Sequence, residues 1–220
     1  MTFRGFPAEA VDFYERLEAD NSRTFWQANK GTFESAVRAP MTELCEELGD
    51  YGAFHLFRPY NDVRFAKGRP PYKTAQGAVS EGEGGTGYYV QLSAEGLMAA
   101  AGYYGMAKDQ LERFRAAIDD DAAGAKVEKL VAELTRAGYS LGAHDELKTA
   151  PRGYAKDHPR IALLRRKGLM AWRSWPPAKW LQTKQAAKRV RDTWEGASAM
   201  CDWLDKHVGP SDLPPEDRPV

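Results

Sequence analysis

Pro70-Pro71 decides what the cationic stretch around it can become. The stretch runs Phe57-Arg58-Pro59-Tyr60-Asn61-Asp62-Val63-Arg64-Phe65-Ala66-Lys67-Gly68-Arg69-Pro70-Pro71-Tyr72-Lys73-Thr74. A proline lacks a backbone donor and pushes the residue before it out of helical geometry, so no helix crosses the pair and residues 69–72 are extended or turned. Arg58, Arg64, Lys67, Arg69 and Lys73 are interleaved here with aromatic rings, and Asp62 is the only acid. Stiff, buriable groups set among cations describe a shaped surface where an anion could be held rather than a solvated tail.

The elements on either side fix the fold class. Residues 7–19 read as a helix, with Pro7 in its first turn, Glu9 and Asp12 at its positive end, and Val11, Tyr14 and Leu17 at helical spacing. A second helical region starts at Phe25 and Trp26 and carries Phe33, Val37, Met41, Leu44 and Leu48; Pro40 is expected to kink or divide it. Strands are expected at Phe54–Phe57, at 88–93 and at 97–104, the last two joined by a hairpin through Ala94-Glu95-Gly96. Gly82 to Gly87 looks like a phosphate loop only superficially, because no Gly-Lys-Ser/Thr ending and no helix follow; it reads as a flexible hairpin loop. Helices follow at 107–119 and 123–137. Asp157 reads as the cap of a short helix with Pro159 in its first turn, Leu169–Trp175 as a strand, and about 178–206 as a long helix bearing Val190, Trp194, Cys201 and Leu204. Strands cluster at about 54–104 with helices before and after, which predicts an α+β fold with a central antiparallel sheet. Residues 1–208 are expected to form a single domain, and 209–220, with four prolines, a flexible tail.

Composition narrows the function classes only a little. The chain has 220 residues, 43% hydrophobic, with 31 Lys+Arg against 31 Asp+Glu, so net charge gives no argument for a polyanion partner. Charge is unevenly spread: residues 148–173 carry eight cations against Asp157 alone, while residues 1–50 are acidic. Cys45 and Cys201 show no metal-ligand spacing and are expected to be reduced core thiols. No basic-apolar leader and no membrane-length apolar run is present, so a soluble, cytoplasmic protein is expected.

Four segments together form a recognisable pattern: Asp20-Asn21-Ser22-Arg23-Thr24-Phe25-Trp26, Asp62 to Lys67 through Pro71-Tyr72-Lys73-Thr74, Tyr88-Tyr89-Val90 with Gly102-Tyr103, and Leu147-Lys148-Thr149-Ala150-Pro151-Arg152-Gly153-Tyr154. In this order and spacing they resemble the conserved hypothetical family known as domain of unknown function 2461, over roughly residues 3–170. The sequence departs from that pattern at Gly68-Arg69, where an acid–lysine pair is the rule; Arg69 keeps a cation and the acid is absent. The resemblance implies a single α+β domain and no stated activity.

For chemistry, arginine offers a planar fork to phosphate or carboxylate, and lysine a mobile point charge. Arg58, Arg64 and Lys73, joined by Lys67, Lys148 and Arg152, could converge on one small anionic ligand, with Tyr72 and Tyr154 supplying hydroxyls or a stacking face. His158 is the one candidate general base. The competing reading pairs these cations with Glu43, Glu46 and Glu47 in structural salt bridges, leaving a protein-interaction module that docks through its terminal helix. Single-stranded nucleic acid is a further alternative, from cations alternating with aromatics at 57–73 and 165–175. His144-Asp145-Glu146 has ligand-type side chains but no second cluster, so no metal is expected; no cofactor is expected either, no serine or cysteine nucleophile has a recognisable setting, and oligomeric state stays open.

Overall fold

Phe13, Tyr14 and Leu17 line one stripe of the first helix, α1 (Glu9–Ala19), and all three are buried. The computed structural model describes residues 2–61, 68, 70–82 and 84–214. After α1, Ser22 caps α2 (Arg23–Thr32), its Oγ accepting from Phe25 N at 3.1 Å. A π-helical turn, Phe33–Arg38, leads into α3 (Ala39–Glu47). The helix is therefore not divided at Pro40 as expected: the backbone stays helical from Arg23 to Glu47, with the π-helical turn just ahead of the proline.

The chain is α+β, with a six-stranded antiparallel sheet in the order β1-β2-β3-β4-β6-β5. Its strands are β1 (His55–Leu56), β2 (Ala75–Glu81), β3 (Gly87–Ser93), β4 (Gly96–Tyr103), β5 (Ser140–Gly142) and β6 (Leu169–Trp175). Between and after them come α4 (Lys108–Asp119), α5 (Asp121–Arg136), α6 (Ile161–Leu164) and α7 (Gln185–His207). The expected helix at Asp157 and Pro159 begins only at Ile161, because His158 Nδ1 accepts from Arg160 N at 3.0 Å and holds a turn there. Among the described residues no helix is long and apolar enough to cross a membrane.

The chain divides into two compact units. One comprises Met1–Glu81, Tyr89–Ala99 and Ser174–Asp192; the other comprises Gly82–Tyr88, Ala100–Arg173 and Thr193–Val220. The first has an aromatic core in which Phe13 packs edge-on against Tyr14 and Trp26, with Phe33 beside them. Its Cys45 thiol is free and buried, pushed up to about 12 by that burial.

The second unit is built on Phe114, Ile118, Leu164, Trp194 and Trp203, all essentially inaccessible. Its Gly-rich segment is a hairpin turn, with Gly82 N donating to Thr86 O at 2.8 Å. Thr86 is buried, and its hydroxyl donates to Asp205 Oδ1 at 2.8 Å, which ties the turn to α7. Beyond α7, Arg113 donates to Pro210 O, and Asp109 accepts from Ser211 Oγ at 2.8 Å and from Asp212 N at 2.9 Å. Cys201 is free and buried, its thiol likewise pushed up to about 12 by burial.

Candidate anion site

In the first unit, the two arms of the cationic stretch fold back on each other. Lys73 N donates to Pro59 O at 2.8 Å, Asn61 N to Pro71 O at 2.9 Å, and Tyr60 and Tyr72 form a bridge pair. Further along, Phe57 N donates to Gly77 O at 2.9 Å and Leu56 pairs with Ala78. The step from Leu56 to Tyr60 thus faces a longer step from Tyr72 to Ala78, so the second arm bulges opposite Arg58. Gln76, only 2% exposed, serves the bulge by donating from Nε2 to Phe57 O and Gly77 O.

Tyr72 is clamped from two sides. Asn21 acts toward it as a strand partner would, its Oδ1 accepting from Tyr72 N and its Nδ2 donating to Tyr72 O, both at 3.0 Å. The Tyr72 ring stacks on Trp26 at 4.4 Å and 9°. Two of the four sequence segments that carry the family resemblance, Asp20–Trp26 and Pro71–Thr74, therefore meet here. With 6% of its surface exposed, Tyr72 serves as core, and the exposed ring of the ribbon is Tyr60 at 45%. Sequence reasoning did not single out Tyr60; each tyrosine directly follows a proline, Pro59 or Pro71, and the position of Trp26 decides which one is covered.

The bulge leaves Arg58 exposed and Lys73 half-buried, with Lys73 Nζ 5.1 Å from the centre of the Phe57 ring. Partial burial, and then the nearby Arg58 guanidinium, hold the Lys73 ammonium below the usual lysine range. Among the described residues neither Arg58 nor Lys73 makes an ion pair, so the expected bridges to Glu43, Glu46 and Glu47 are not formed by these two. Arg64 and Lys67, expected beside them, lie outside the described residues, as does Arg69.

The remaining expected site residues belong to the second unit. Leu147 N donates to Arg165 O at 2.8 Å and Lys167 N to Asp145 O at 2.9 Å, so residues 145–147 run along 165–167. Lys148 and Arg152 are exposed and have no ion pair among the described residues. Tyr154 and His158 come together around Asp119, at the end of α4. Burial, and then the Asp119 carboxylate, push the Tyr154 hydroxyl up, while Arg115 pulls the other way. His158 Nε2 lies 3.1 Å from Asp119 Oδ1, and Nδ1 accepts from Arg160 N at 3.0 Å, so both ring nitrogens are engaged. Arg160 donates to Ile118 O at 2.7 Å and to Asp119 O at 3.2 Å, satisfying carbonyls at the end of α4. His158 and Arg160 thus close a helix end with every ring nitrogen engaged. Among the described residues no group of three or more His, Cys, Asp or Glu side chains could hold a metal ion.

Residues 9–203 match the model of the family described as Conserved hypothetical protein (DUF2461), and the chain belongs to that family. No curated protein and no solved structure matches it.

Proposed function

We propose that this family member binds a phosphate- or carboxylate-bearing ligand on the Arg58–Lys73 ribbon. The observation that carries the reading is a pair of cations held close by a bulge, one of them half-buried, with no acid paired to either among the described residues. Like charges kept together in a partly desolvated place raise the energy of the unliganded state, and an anion between them lowers it. Arg58 would supply the planar fork and Lys73 the point charge. Arg64 and Lys67, from the same stretch, are the further candidates. No reaction is assigned to His158, whose two nitrogens are occupied.

Calorimetric titration with inorganic phosphate and with succinate tests this. Binding is expected in the wild type and on the order of tenfold to a hundredfold weaker in Arg58→Ala and in Lys73→Ala, the loss of one charge-assisted hydrogen bond, with little change in melting temperature. Affinity should also fall as pH rises, and at a lower pH than an ordinary lysine would give, because Lys73 loses its proton early. Wild-type affinity retained in both variants, or no binding of either anion, would overturn the proposal. The structural-arginine alternative has support of its own in the second unit, where Arg160 and Arg165 are spent on backbone carbonyls; it predicts no binding there and a stability loss when either is removed.

A further inference from the structure

We propose that the anion on this ribbon is a nucleoside phosphate, its base lying against Tyr60; the inference rests on the anion-site reading above. Among the described residues Tyr60 is one of two large apolar side chains left exposed. It is also held rigid. Its ring lies 5.8 Å from Trp26 at 60° and 5.6 Å from Tyr72 at 52°, and those two rings are themselves stacked and buried. An aromatic surface fixed on its inner side and open on its outer side costs little entropy to use, which is what a stacking platform requires.

The cations and the ring are gathered around one residue. Arg58 and Tyr60 are the chain neighbours of Pro59, at most about 7 Å apart along the backbone. Lys73 is hydrogen-bonded to Pro59 from the opposite arm. That span matches a ligand with a flat π-face at one end and a phosphate at the other. A plain phosphate or a dicarboxylate uses only the cations and leaves Tyr60 without a role. The shared chemistry fits a free mononucleotide and a nucleotide within a single strand, and the test separates these sources.

The experiment titrates the full chain with inorganic phosphate, ribose 5-phosphate, adenosine 5′-phosphate and a short single-stranded oligonucleotide. In the wild type, adenosine 5′-phosphate should bind about tenfold tighter than ribose 5-phosphate, the increment of one stacked base. Tyr60→Ala should remove that increment and leave ribose 5-phosphate binding unchanged. Tyr60→Leu, which keeps an apolar body against Trp26 but has no π-face, should do the same if Tyr60→Ala proves poorly folded. Tighter, steeply salt-dependent binding of the oligonucleotide would make a strand the source of the nucleotide. Equal affinity for adenosine 5′-phosphate and ribose 5-phosphate, or an increment that survives both substitutions, overturns the nucleoside assignment and leaves the anion site standing. Failure of every phosphate to bind overturns the nucleoside assignment, and overturns the anion site too when succinate also fails to bind.

Discussion

Asp109 shows how much one carboxylate can be asked to hold. Partial burial works against its charge. The hydrogen bonds from Asp212 N and Ser211 Oγ outweigh that, with Gln110 N and the Arg113 guanidinium adding to them, and bring the carboxyl from 3.8 down to about 2. The folded chain therefore holds this proton less tightly than the unfolded chain. The stability so contributed is complete above about pH 4 and is lost as pH falls through about 2. The melting temperature of Asp109→Asn should lie below that of the wild type at pH 6, and the gap should close between pH 4 and pH 2. A gap that stays constant over this range would show that the carboxylate charge is not what binds residues 211 and 212.

At the scale of elements, the hairpin turn of the Gly-rich segment depends on missing side chains. A Cβ on Gly84 would lie 2.3 Å from the Asp205 carboxylate, and one on Gly85, at φ +106, would lie 2.6 Å from the Tyr103 hydroxyl. Gly82 meets nothing closer than 3.5 Å. Gly84→Ala and Gly85→Ala should each cost about 1–3 kcal/mol in urea unfolding, the range of an overpacked site, and Gly82→Ala much less. Three equal costs would mean that the turn is not packed as described. The sequence showed a hairpin loop here but could not show its packing, because the partners Asp205 and Tyr103 are remote in the chain. Elements with strong periodicity were legible: α1, α4, β3, β4, β6 and the body of α7 fall close to where their apolar spacing puts them. β2 was not. Ala75-Gln76-Gly77-Ala78-Val79-Ser80-Glu81 has one β-branched residue, and it is a strand because β1 pairs with it and because Gln76 and Ser80 find carbonyls on Phe57 and Tyr51. The cations of the candidate site were legible as residue types. Which of them lack an acid partner, and which tyrosine faces solvent, depended on contacts with Asn21 and Trp26 that no local pattern encodes.

For the whole molecule, the boundary between the two compact units falls within β3, β4, β6 and α7. We propose on that ground that the chain unfolds as one domain, since either unit could melt alone only by breaking four continuous elements. Scanning calorimetry should give a single transition whose calorimetric and van't Hoff enthalpies agree. Two resolved transitions would reject this. One smaller feature is chemically vulnerable. Asn21 precedes a serine, and the side-chain amide that donates to Tyr72 O is a group that asparagine can lose by hydrolysis. Conversion to a carboxylate would put an acceptor against an acceptor, so the lost amide would loosen the clamp on Tyr72 at the base of the ribbon.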